Sequence, residues 1–251
     1  MTIWPDLSQR SDEAELMDSP QCDPHRLTRT LQQFRWINRW LTPCHRLIRQ
    51  QFLSVMARDR NRVWSLVDVG AGGCDLLIWI AQWCASAGIE VKLTCLDYDP
   101  RVVEFAQHRC RAWPNIDVIQ RDAIDLIDRD ASWDFVFANH VLHHLSTDAV
   151  VSVVKSADAV AREALVLCDI HRTRGTCLAY SLLWPMRFTN SFCWHDGRLS
   201  IRKSFTVQEY RELLWAADLA DKASVHRCFP GHLALIRSGC SRSASSSKAS
   251  C

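Results

Sequence analysis

Residues 67–75, Val-Asp-Val-Gly-Ala-Gly-Gly-Cys-Asp, place three glycines within four positions, after an apolar run and before a helical one. Glycine has no Cβ and accepts positive φ, so such a turn lets a ligand approach the backbone closely. The acidic residues around it decide which ligand. A dinucleotide turn reads G-x-G-x-x-G. Gly70 and Gly72 fit its first two glycines, but the third position is Asp75. A carboxylate at a helix N-terminus repels a pyrophosphate and competes for the same N–H groups. This argues against a nicotinamide-dependent oxidoreductase. A phosphate loop is excluded because no Gly-Lys-Ser/Thr follows.

A ligand with a cationic head and no phosphate fits these residues. S-adenosylmethionine carries a sulfonium and an ammonium. Asp68, at the end of the first apolar run, would favour the ammonium, while Gly70 and Gly72 admit the amino-acid part. The next apolar run ends in Leu96-Asp97-Tyr98-Asp99-Pro100. A carboxylate at this strand end can accept both ribose hydroxyls. Asp99, directly before Pro100, reads as a helix N-cap. Asp97 is therefore the expected ribose acceptor, with Tyr98 packing on adenine.

Histidines are the second source of chemistry. Methyl transfer is an in-line displacement, and a hydroxyl acceptor gains from a general base, most often histidine. His140, His143 and His144 follow one predicted strand and His171 follows the next. Ligands bind at the carboxyl ends of strands in open α/β sheets. His171 and His140 are the expected acceptor-activating residues. Three histidines in five positions also suggest a metal, but the H-E-x-x-H glutamate is missing, so none is expected. His195-Asp196-Gly197 reads as a turn, since Asp-Gly is a hairpin signal.

The elements that must position these groups follow from periodicity. Near-continuous apolar runs predict strands at 63–69, 91–97, 116–120, 133–138 and 164–169, as in a parallel sheet covered on both faces. Helices are predicted at about 75–87, 100–112 and 146–161, and strand-like pieces at 222–228 and 232–237. Thr206-Val-Gln-Glu209 is a capping box. Before the sheet, Asp23-Pro24 and Thr42-Pro43 read as starts of two amphipathic helices. Residues 24–62 hold nine arginines against Asp59, a net +8. They are read as an N-terminal helical lid whose charge suits an anionic or membrane-associated substrate. Residues 1–23, with six acids against Arg10, are expected as a flexible acidic arm. Residues 63–237 form the main domain, with an aromatic-rich substrate-cap insert at 175–203. The serine-rich 238–251 is expected to be a disordered tail.

The chain has 251 residues, 48% hydrophobic, with a net charge of +2. That suffices for one large α/β domain and does not by itself call for nucleic acid. No run reaches the ~18 apolar residues of a membrane span. The first residues lack a basic and apolar leader, which points to the cytoplasm. Twelve cysteines are scattered without a C-x-x-C pair. They are expected to be reduced and mostly buried, without a disulfide or structural metal.

Residues 63 to about 170 resemble class I S-adenosylmethionine-dependent methyltransferases. VDVGAGG is similar to the family's first motif, LDYDP to its second, RDAIDL to its third and WDFVFANHVLHHL to its fourth strand and loop. The four come in order at the family's spacing. The resemblance implies S-adenosylmethionine as cofactor and a Rossmann-like, seven-stranded, mostly parallel sheet with helices on both faces and an antiparallel last strand. It implies cofactor contacts from Asp68, Gly70, Gly72, Gly73, Asp97, Tyr98, Asp122, Ala123 and Asn139, with Asp122 accepting from the adenine amino group. Cys74 departs from a third family glycine. More narrowly, ELMDSP, CDIHR and HDGRLSIRKSFTVQEYRELLWAADL resemble small-molecule enzymes that tailor polyketides and quinones. The implied partner is a small-molecule acceptor, methylated on a phenolic or similar oxygen, with peripheral membrane contact open. The alternatives are an RNA or protein N-methyltransferase and a non-catalytic cofactor-binding partner. Asn139-His-Val-Leu, in place of an Asn-Pro-Pro-Tyr loop, counts against nucleic acid.

Overall fold

The computed structural model describes residues 5–125 and 132–239. Seven strands form one sheet: β1 Trp64–Val69, β2 Val91–Asp97, β3 Ile116–Gln120, β4 Trp133–Asn139, β5 Ala161–Ile170, β6 Ser224–Cys228 and β7 His232–Ser238. Their order is β3-β2-β1-β4-β5-β7-β6. β1 to β5 are parallel, and β7 lies antiparallel between β5 and β6. This is the Rossmann-like, mostly parallel architecture implied by the sequence. The order reverses at β1, opening a crevice beyond the carboxyl ends of β1 and β4.

Nine α-helices lie among the described residues: α1 Pro24–Trp40, α2 Cys44–Ile48, α3 Ser54–Met56, α4 Asp75–Ala87, α5 Pro100–Cys110, α6 Thr147–Val160, α7 Arg174–Ser181, α8 Cys193–Lys203 and α9 Val207–Ala216. The pleat sends alternate strand residues to opposite faces. Leu66, Phe135 and Phe137 meet Phe52 and α4 on one face, while Val67, Val69 and Val136 meet α6 and α9 on the other. Asp23 caps α1 by accepting from the N–H groups of His25 and Arg26. Thr206 and Glu209 close the predicted capping box on α9.

Several expectations change. The second predicted helix starts at Cys44 and is interrupted by a π-helical segment, Arg49–Leu53. Its Ile48, Phe52, Leu53 and Met56 are buried in the core, so residues 44–56 are a layer on the sheet rather than part of a lid. α1 alone of this pair lies over the glycine turn: Phe34 is the nearest side chain to Gly72. His195-Asp196-Gly197 is not a turn but lies inside α8. Asp196 accepts from the N–H groups of Leu16 and Met17, both at 3.0 Å, and a Cβ on Gly197 would strike the Tyr180 ring. Packing, not a hairpin, requires that glycine.

The acidic arm is docked, not loose, from Pro5 to Asp23. Arg10 donates to the carbonyls of Lys203, His143 and Leu145, and its guanidinium stacks on Phe205. Glu15 is buried. The arm's negative charge meets buried cationic partners, which composition alone does not show. Ser238, placed in the expected tail, ends β7. Residues 240–251 of that tail lie outside the described residues.

Candidate active site

The glycine turn sits where β1 runs into α4. Gly70 has φ +67° and Gly72 φ +53°. The Gly70 N–H donates to the Leu96 carbonyl at 2.8 Å, and a Cβ there would collide with Val141. Replacing Gly70 with alanine is therefore expected to destabilise the fold by about 2 kcal/mol or more, from strain plus overpacking. Thermal unfolding of the variant checks this. A Cβ on Gly73 would meet Arg109, whose guanidinium donates to the Gly73 carbonyl at 2.5 Å. At Gly72 the space is open apart from Phe34 at 3.9 Å.

Cys74 also has a positive φ, +55°, and caps α4 with no side-chain hydrogen bond. It is joined in a disulfide to Cys95 on β2, which corrects the expectation of reduced cysteines. The two Cα atoms are 6.5 Å apart, within the span a disulfide bridges. Cys95 pairs in register with Asp68. The bond thus ties the turn to the strand beside it and accounts for a side chain where the family has glycine. Sequence spacing gave no hint, because parallel-strand register brings together residues 21 apart.

Three carboxylates converge at this crevice. Asp68 is buried and pushed well above the usual carboxylate range, first by burial, then by Asp75 and Asp97. Asp75 is raised mainly by burial, although the Asn38 amide donates to it at 3.1 Å. Asp97 is raised mainly by burial and accepts from the N–H groups of Gly72 and Asp99, both at 3.1 Å. Asn139, at the end of β4, donates to Asn38 at 3.2 Å, and its own Oδ1 is buried without a donor. Clustered acceptors of this kind suit a bound cation with N–H and O–H donors. The residues therefore fit S-adenosylmethionine. Asn38, which holds both Asp75 and Asn139 from α1, was not among the expected site residues; the one signal was Ile37-Asn38-Arg39 in the first helix, which resembles the small-molecule subfamily.

The remaining predicted contacts form the rim. Asp99 caps α5 and pairs with Arg101, as read from the proline after it. The Arg121 N–H donates to the Asp97 carbonyl at 2.9 Å, which brings the β3 loop beside β2. There Asp122 is exposed and accepts from the Ile124 N–H at 3.0 Å. Ala123 begins a short 3-10 turn. Tyr98 is exposed, its phenol pushed up to about 12 by partial burial and by Asp18, Asp99 and Asp97.

The histidines divide into two sets. His140 follows Asn139 with φ +58°, and its Nε2 lies 2.9 Å from Nε2 of His232. Nδ1 of His232 lies 2.9 Å from the Pro230 carbonyl. That carbonyl only accepts, so His232 carries its proton on Nδ1. Its Nε2 then accepts, His140 donates from Nε2, and Nδ1 of His140 is left with a lone pair. Burial holds both rings neutral, His140 down to about 3 and His232 to about 4. His171 bridges to Phe205 and donates its N–H to the Gly231 carbonyl. Burial and then Arg227 lower its ring. Ile170 pairs with His232 in register, so His140, His171 and His232 share the carboxyl edge of the sheet.

His143 belongs to the other set. It is buried, with Nδ1 2.6 Å from Asp169 and Nε2 3.6 Å from Glu15. Burial would lower it, but the two carboxylates outweigh that and hold it at about 9. Glu15, His143 and His144 place metal-capable atoms within 4.8 Å of one another. Lys203 lies 3.9 Å from Glu15 and Ser200 donates to it at 2.8 Å. These charges and donors account for the cluster as an ion-pair latch on the arm.

A reversed-order parallel sheet with an antiparallel seventh strand, a glycine turn at the reversal point and acidic residues at the ends of β1 and β2 define the class. The fold is that of class I S-adenosylmethionine-dependent methyltransferases. Residues 66–164 match the family described as Methyltransferase domain. Solved structures agree on the fold. The plantazolicin methyltransferase BpumL, in complex with SAH, is 11% identical with a TM-score of 0.60, covering 86% of this chain and 96% of that one. Human N-acetylserotonin methyltransferase, in complex with SAM, is 17% identical with a TM-score of 0.58, covering 87% and 57%. Magnesium protoporphyrin IX methyltransferase from Synechocystis, with bound SAH, is 15% identical with a TM-score of 0.51, covering 90% and 91%. No curated protein sequence matches the chain. No helix among the described residues is long and apolar enough to cross a membrane.

Proposed function

We propose that the chain methylates a hydroxyl oxygen of a small phenolic, polyketide or quinone-like acceptor. The observation that supports this best is the lone pair fixed on Nδ1 of His140. The chain from the Pro230 carbonyl through His232 orients that ring as a hydrogen-bond acceptor at the carboxyl edge of the sheet. The likeness in fold to methyltransferases named for small-molecule acceptors supports the same reading.

S-adenosylmethionine, when bound, supplies a methyl group activated by a sulfonium. Asp68 and the orphaned Asn139 Oδ1 would accept from its ammonium, and Asp97 from the ribose hydroxyls. Gly70, Gly72 and Gly73 would let the backbone approach it, while Tyr98, Asp122 and Ala123 would border the adenine. His140 would accept a hydrogen bond from the acceptor hydroxyl and take its proton as the oxygen attacks. His171, on the neighbouring loop, is the second residue proposed to meet the acceptor. α1 and the 175–203 segment would shield the reacting atoms from water, which strengthens these interactions.

Native mass spectrometry of freshly purified protein tests the first part: co-purified S-adenosylmethionine or its demethylated product is expected. Transfer of a labelled methyl to a panel of phenols and quinols, with the product site mapped, tests the second. Label on tRNA or peptide nitrogen, and none on oxygen, would sink it. His140→Ala is expected to lower kcat about a hundredfold without changing cofactor affinity. With His140 held near 3, the wild-type rate should stay flat on acidification to about pH 5, where an unperturbed histidine would already have titrated. A loss of rate near 6.5 would show that another base acts.

A further inference from the structure

We propose that the face made by α1 and residues 178–188 docks on an anionic lipid bilayer. The inference goes beyond methyl transfer and does not depend on which acceptor is used.

Neither α7 nor the following 3-10 turn, Trp184–Phe188, buries any residue. Leu178 is 56% exposed, Leu182 74%, Trp184 54% and Phe188 71%. Trp184 and Phe188 pack edge to face, with centroids 5.8 Å apart. On α1, Trp36 and Trp40 are likewise exposed. With Arg29 they fall at i, i+7 and i+11, a single stripe of the helix.

The segment that follows residues 178–188 is tied to α1. The Ser191 hydroxyl donates to the Gln33 side chain at 2.8 Å, the Phe192 N–H donates to Thr30 at 2.9 Å, and Arg26 donates to the Ser191 carbonyl at 3.2 Å. Gln33 lies one turn before Trp36 and Ile37 on that side of α1. Six large apolar side chains thus stand exposed on α1 and on residues 178–188, which the Ser191–Phe192 segment links. Single exposed apolar residues are ordinary, but a patch of this kind marks an interaction surface.

Charge selects the partner. Residues 24–40 contain Arg26, Arg29, Arg35 and Arg39, residues 174–195 contain Arg174 and Arg187, and neither segment contains an aspartate or glutamate. Arg39 lies over Trp40 at 5.3 Å and Arg187 over Phe188 at 5.4 Å. Aromatic rings that settle at the headgroup level, ringed by arginines, suit a surface with an apolar interior and negative headgroups. A second copy of the same face would set arginine against arginine. A neutral apolar partner would leave Arg39 and Arg187, which lie over the exposed rings, without counter-charge.

Co-sedimentation with vesicles tests the proposal. The probes are phosphatidylcholine alone and phosphatidylcholine with 30% phosphatidylglycerol, at low and high salt. Wild type is expected to bind the anionic vesicles, to bind the neutral ones much less, and to be released by salt. Leu182→Ala combined with Phe188→Ala should weaken binding about tenfold or more, given the apolar area removed. Arg39→Glu combined with Arg187→Glu should abolish the preference for anionic vesicles. These side chains are exposed, so unchanged thermal unfolding is expected and separates docking from folding. Equal binding to both vesicle types, no binding, or unchanged binding by the variants would overturn the proposal. So would a concentration-dependent dimer that the same variants dissociate, because the face would then be covered by a second copy.

Discussion

Replacing His143 with alanine is expected to cost about 3–5 kcal/mol of folding stability, the usual penalty for breaking a buried ion pair. Asp169 is fully buried and Glu15 nearly so, and His143 stands between them. Without it, Asp169 keeps the N–H groups of residue 143 and of Ile170 but loses its counter-charge. Glu15 keeps Ser200 and the more distant Lys203, so the larger penalty falls on Asp169. His143→Gln retains a donor toward Asp169 and should cost less than alanine. The pH dependence has a definite sign. His143 is raised from 6.5 to about 9, worth roughly 3 kcal/mol. That stabilisation is complete below about 6.5 and is lost as pH rises through about 9. Glu15 is lowered to about 2, against burial, chiefly by its hydrogen bond to His143. Its contribution is complete above about 4.5 and is lost as pH falls through about 2. The difference between wild type and His143→Ala should therefore be largest between about pH 4.5 and 6.5 and shrink toward pH 9 and beyond. Urea denaturation at pH 6 and pH 9.5 measures it. An equal difference at both values would mean that the histidine acts by packing rather than by charge.

Asp97→Asn is expected to weaken binding of S-adenosylmethionine about a hundredfold. Each hydrogen bond to a charged acceptor is worth about 1.5–3 kcal/mol, and two ribose hydroxyls would be affected. Asparagine has one acceptor oxygen, so it can keep the Gly72 N–H or the Asp99 N–H but turns an NH2 donor toward the other, and a stability loss of about 1 kcal/mol is expected beside the loss of affinity. Asp99→Ala is the counterpart. It removes the α5 cap and the pair with Arg101. It should cost about 1 kcal/mol of stability and leave cofactor affinity within about threefold. Calorimetric titration with S-adenosylmethionine and with its demethylated product separates the two. Wild-type affinity in Asp97→Asn would remove the ribose assignment.

The parts of this fold that could be read from sequence are those specified locally. β2, β3 and α4 span the residues that periodicity gives, and α1 and α9 begin where their caps place them. The cap role of Asp99 was legible for the same reason, since a proline follows it directly. Features set by contacts distant in sequence were not legible. Asp196-Gly197 has the composition of a turn, yet packing against Tyr180 and the arm makes it helical. Cys74 and Cys95 meet only through the parallel register. Asn38 and His232 look like ordinary surface residues until the fold brings them beside Asn139 and His140. The acidic arm reads as solvated because its cationic partners lie far along the chain.

That last separation bears on the order in which the molecule is completed. The bond from Arg10 to Lys203 spans 193 residues, and the one from Leu16 to Asp196 spans 180. During synthesis the arm leaves the ribosome well before α8, and its docking site cannot exist until α8 has been made. A segment translated before the sheet is thus placed only after α8. Throughout that interval the contacts that hold Arg10 and Leu16 in the folded chain have no partner to form with.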